Sequence, residues 1–112
     1  MSVDDEFSSA APVVDSSKPG QSIEERFENF HANNPHVYEL LVSLARKAKA
    51  RGRDKIGMKM LYEVARWHFY LNANSEEDYA LNNDYTSRYA RMIADKEPDL
   101  TEMFEFRKLK TP

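Results

Sequence analysis

Apolar residues recur at helical spacing through most of the chain after residue 21. Ile23, Phe27 and Phe30 stand at i, i+4 and i+7, one stripe of a short helix. Ser22 with Glu25 three positions on is a capping box, which satisfies orphan first-turn amides. Asn33-Asn34-Pro35 ends this helix and starts the next, with Asn34 as its N-cap and Pro35 at the first helical position, where a missing N–H does no harm. Val37, Leu40, Leu41, Leu44 and Ala48 predict a second helix over 35–51, and Gly52 sits where a left-handed C-terminal residue is wanted. After a short link, Arg53-Asp54, a third helix is predicted over 55–71, with Met60, Leu61, Val64, Trp67, His68 and Leu71 forming a broad apolar face.

Residues 72–78 are polar and read as a loop. Asn83 or Asp84 is positioned to cap a fourth helix over 85–96, with Tyr85, Tyr89, Met92 and Ile93 on one side. Pro98 restarts the chain, and Leu100, Met103 and Phe104 suggest further helical turns. Residues 104–107 alternate like a strand that can pair with 79–81. The expected architecture is therefore mainly α, a bundle of four to five helices with room for one short two-stranded β element.

Several runs resemble a group of small helical proteins encoded by bacteriophages and prophages. They are Phe30-His31-Ala32-Asn33-Asn34-Pro35-His36-Val37-Tyr38, Ala50-Arg51-Gly52, Glu63-Val64-Ala65-Arg66-Trp67, and the stretch from Leu81-Asn82-Asn83-Asp84-Tyr85 to Thr86-Ser87-Arg88-Tyr89-Ala90-Arg91. The resemblance covers about residues 22–109. It implies a phage-related cytoplasmic protein and assigns no catalytic residue.

Composition narrows the functional classes. At 112 residues the chain suits a single domain, expected over 21–112. Residues 1–20 hold four acids, one lysine and few apolar groups, too little to offset the entropy of ordering, and read as a disordered acidic tail. The start lacks the basic region and apolar stretch of a signal peptide, and no apolar run is long enough for a membrane span. With no cysteine, thiol catalysis, disulfides and Cys-ligated metal are excluded. His31, His36 and His68 show no metal-ligand spacing, and no motif demands a cofactor. Nothing marks a nucleophile, base and oxyanion donor, so a non-enzyme is expected.

Charge gives the most specific signal. The net charge is -3, yet residues 46–66 carry eight basic residues against two acids, while 67–106 carry nine acids against three basic residues. Arg46, Lys47, Lys49, Arg51, Arg53, Lys55 and Lys59 concentrate around the Gly52 turn in a helix–turn–helix-like corner. Such a corner would attract phosphates, so nucleic acid is the leading expected partner, with Arg88 and Arg91 assisting. Against this, basic residues in a last helical turn also complement the macrodipole or simply solvate a face, and Arg88 and Arg91 can pair with acids such as Asp95. The alternative partner is a host or phage protein. The run Trp67-His68-Phe69-Tyr70 fans around a helix and cannot all face one core, which makes Trp67, Phe69 and Tyr70 candidate interface residues. Oligomeric state stays open.

Overall fold

A computed structural model describes Val13 and residues 20–73 and 81–104. It is mainly α: helices α1 (Ile23–Asn33), α2 (Pro35–Ala50), α3 (Met58–Asn72) and α4 (Thr86–Lys96), with 3-10 segments at Asn83–Tyr85 and Pro98–Met103. The buried apolar residues of these elements, Ala90 apart, form one cluster.

The capping box of α1 is complete. The Glu25 amide donates to the Ser22 hydroxyl, and the Ser22 amide donates to Glu25 Oε1, each at 3.1 Å. These bonds, the Ser22 backbone first, hold the Glu25 carboxyl below its ordinary range. Phe27 and Phe30 carry the buried face. Asn34 differs from expectation. It makes no side-chain cap to α2; its fully buried amide turns back and donates to the Phe30 carbonyl at 2.9 Å. A buried amide must find a partner, and the Phe30 carbonyl in the last turn of α1, which also accepts the Asn34 backbone amide at 2.9 Å, has a second lone pair to offer.

Gly52 closes α2 as the spacing predicts, at φ +92°. Its amide donates to Lys49 O at 3.0 Å and that of Arg53 to Ala48 O at 3.0 Å, the paired bonds of a Schellman turn. The link that follows is longer than expected, since α3 begins at Met58 rather than 55. The Ile56 amide is committed elsewhere: it donates to Met103 O at 2.8 Å, tying the link to the second 3-10 segment.

Aromatic rings fill the centre. Phe27 of α1 meets Tyr89 of α4 edge-on at 4.9 Å, Phe30 lies 5.0 Å from Tyr85, and Tyr62 of α3 lies 6.2 Å from Tyr89. Neither Asn83 nor Asp84 caps α4, which follows Tyr85 with no side-chain cap; Asn82 instead caps the 3-10 segment before it, its side chain accepting from the Asp84 amide at 2.8 Å. Leu100, Met103 and Phe104 close the core from the C-terminal side.

Two expectations fall on positions beyond those described. Of the suggested β pair, only Leu81 and Phe104 are described; both are buried and neither lies in a strand. Of residues 1–19, only Val13 is described, and it is fully buried in the core. A valine side chain gains by leaving water wherever the core offers a seat.

Candidate functional site

Three of the basic residues around Gly52, Arg46, Lys49 and Lys55, are engaged by the segment after α4. Arg46, in the last turns of α2, is clasped by the segment after α4. Its Nη2 lies 2.6 Å from Glu97 Oε1 and 3.1 Å from Asp99 Oδ1, and its Nε donates to Asp99 Oδ2 at 3.2 Å. Tyr38 donates its hydroxyl hydrogen to the other Glu97 oxygen at 2.9 Å. The cluster shifts every member. Glu97 is held below its ordinary range by the Tyr38 hydroxyl and then Arg46, and Asp99 is held down by Arg46. Burial, then Glu97, pushes the Tyr38 hydroxyl up, and Asp99 and Glu97 raise the Arg46 guanidinium further.

The same segment takes two more cations. Lys49 Nζ donates to the Asp99 carbonyl, and Lys55 Nζ donates to the Glu102 carbonyl at 2.8 Å. Lys47 is partly buried on α2, whereas Arg51, Arg53 and Lys59 are exposed. Arg88 belongs to a different contact: it bridges α4 to α1, with Nη2 2.5 Å from Glu24 Oε1. Arg91 is exposed on α4, beside a groove lined by Glu24, Phe27 and Asp95. Arg46 and Lys49 thus converge on Asp99, while Arg88 meets α1 instead.

The aromatic candidates divide. Phe69 is 3% exposed and packs edge-on to His36 at 5.6 Å, so its place among interface residues is corrected: it is core. Trp67 and Tyr70 are 59% and 52% exposed, with ring centroids 5.6 Å apart on the surface.

They are not alone. Met60, Val64 and Leu71 are also exposed, so the broad apolar face expected of the third helix splits. Its members Met60, Val64, Trp67 and Leu71 follow one another at intervals of four, three and four, one stripe along the outward side. The inward side is carried by Leu61, Tyr62, Ala65 and Phe69. At ~100° per residue the two sets lie on nearly opposite sides of the helix. Sequence reasoning missed Met60, Val64 and Leu71 as surface residues. The available signal was that α3 is apolar on two sides, and one small domain can bury only one of them.

Among the described residues no three His, Asp or Glu side chains converge as a metal site requires. Nor, among the described residues, is any helix long and apolar enough to cross a membrane. His31 packs 5.5 Å from Tyr38, and burial followed by the charge of Lys96 pushes its pKa down. Comparison with protein-family models, curated proteins and solved structures finds no match.

Proposed function

We propose that this chain is a non-catalytic binding protein that docks another protein through the outward face of α3. In the setting implied by the resemblance of its motifs, it is a phage-related cytoplasmic adaptor or inhibitor. One observation carries the reading: five large apolar side chains, Met60, Val64, Trp67, Tyr70 and Leu71, stay in water on a single helix. Isolated exposed apolar residues are ordinary, but a continuous stripe with a Trp–Tyr pair has the composition of an interface centre. Burial of such groups stabilises association by about 25 cal/mol per Å² before the costs of ordering are subtracted.

The test is affinity capture at about 0.5 M salt, where the Debye length is only a few Å and charge-driven adsorption is suppressed. The wild-type chain is expected to retain a protein partner that the folded Trp67→Glu variant releases. Equal retention by both would overturn the assignment of α3.

The nucleic-acid reading takes second place because Glu97, Asp99 and Glu102 already engage Arg46, Lys49 and Lys55 through side chains or carbonyls. It retains one specific support: Arg51, Arg53 and Lys59 remain exposed around the Gly52 turn. Three phosphate contacts would give a salt slope of about -2.7 on B-DNA. Arg51→Glu combined with Arg53→Glu should then abolish duplex binding while leaving the fold intact. Binding that is absent at low salt, or that survives these reversals, would end this reading.

A further inference from the structure

We infer that the occupant of the α3 face is a second copy of this chain, with α3 packed antiparallel on α3 about a twofold axis. The inference rests on the docking reading above and names its partner. The first argument is spacing. Intervals of four, three and four over Met60, Val64, Trp67 and Leu71 are those of a helix–helix seam, in which side chains of one helix fill gaps on another.

The second argument is shape. A twofold interface must be self-complementary, so that whatever residue i meets, its counterpart meets in return. With the axis midway between Val64 and Trp67, Met60 faces the partner's Leu71 and Val64 faces the partner's Trp67. Each large ring then meets a small side chain twice over. A parallel arrangement would instead stack ring on ring and valine on valine.

The third argument is charge. The first turn of α3 contains no acid and the last turn no basic residue, so neither end of its dipole is compensated from within. Lys59 stands exposed in the first turn, with exposed Arg53 a few residues before the helix. Antiparallel pairing brings the basic, amide-rich end of one α3 beside the carbonyl end of the other. Parallel pairing would set like charges together. The seam spans about three turns, less than stable interfaces of ~1,200–2,000 Å² usually require, so the dimer is weak and concentration-dependent, with a micromolar Kd.

Sedimentation of the full chain over a concentration series tests this. The mass is expected to rise from 13.0 kDa toward twice that value, with a blue shift of the fluorescence of the single tryptophan, Trp67. Trp67→Glu should hold the mass at 13.0 kDa with an unchanged helical circular dichroism signal. If that variant unfolds, Val64→Glu carries the same measurement. Because the chain has no cysteine, orientation can be read directly. Oxidising a mixture of the Met60→Cys and Leu71→Cys proteins should give at least several-fold more cross-linked heterodimer than Met60→Cys gives homodimer. A wild-type chain that stays monomeric up to about 1 mM, where an association would be worth only about 4 kcal/mol, overturns self-pairing. A dimer that survives both charge substitutions, or Met60→Cys homodimers formed as readily as the mixed species, does so too. A monomer that still captures a salt-stable, Trp67-dependent partner would sink the second copy and leave the docking reading standing; a monomer that captures nothing would sink both.

Discussion

The guanidinium of Arg46 meets the Asp99 carboxylate fork to fork, Nε to Oδ2 at 3.2 Å and Nη2 to Oδ1 at 3.1 Å, across 53 residues of sequence. Glu97 and Tyr38 extend this pair into a clasp that fixes the segment after α4 against α2. Both carboxyls have folded-state pKa values below their ordinary ones. Their contribution is therefore fully present above the unfolded values of about 4.3 and 3.9, and is lost as pH falls through the lower folded values. Arg46→Ala should lower the urea midpoint at pH 7 and make little further difference once both carboxyls are protonated. A mutational effect of equal size at both extremes would mean that the clasp is not what holds this segment.

Phe69 and Trp67 predict opposite outcomes from two residues apart. Phe69→Ala removes a fully packed ring and should cost about 3–5 kcal/mol. Trp67→Ala removes a mostly solvated one, and should stay within about 0.5 kcal/mol for the monomer at low concentration. Urea denaturation of the two variants measures both, and a large monomer loss from Trp67→Ala would show that the ring is covered from within the chain.

The two glycines flanking the 53–57 link should also behave differently. Gly52 has a positive φ and open space around its Cα, so Gly52→Ala should cost about 1 kcal/mol through the backbone alone. Gly57 has an ordinary φ of -79° with nothing nearby but is the N-cap of α3, where alanine is disfavoured; that loss offsets the gain through the unfolded chain, and Gly57→Ala should stay within about 0.5 kcal/mol of wild type. Thermal melts of both variants decide whether the turn after α2 requires the left-handed conformation.

Ser22→Ala removes one half of the reciprocal cap on α1 and should cost about 1 kcal/mol. Ser22→Thr, which keeps the acceptor oxygen, should retain most of it. Equal losses in both variants would place the effect outside the cap.

Local features were legible in the sequence where a few adjacent residues decide them. Ser22 and Glu25 settle the start of α1, and Gly52 settles the end of α2, because each acts within one turn. The facing of α3 was not legible. Met60, Val64, Trp67 and Leu71 are at least as apolar as Leu61, Tyr62, Ala65 and Phe69, and periodicity reports that a stripe exists without reporting which stripe is inside. What turns the second set inward is aromatic packing from α2 and α4, His36 against Phe69 and Tyr62 against Tyr89. The state of the basic corner was equally hidden. The charge run read as open because Arg46 and Glu97 are 51 positions apart, and no local rule couples them. Asn34 shows the same limit on a smaller scale: its type suits a cap, but a buried amide beside the last turn of α1 finds a nearer carbonyl.

The bond from Ile56 to Met103, with Leu100, Met103 and Phe104 seated in the core, has a consequence for biosynthesis. A nascent chain ending at Lys96 has all four helices available yet lacks the apolar groups and the clasp that close the corner after α2. Those contacts join residues roughly fifty positions apart, so their loop-closure entropy is met only when the final turns leave the ribosome. Until then the half-formed bundle presents the outward side of α3 together with the empty seat of Leu100, which is the interval in which a chaperone has most to hold.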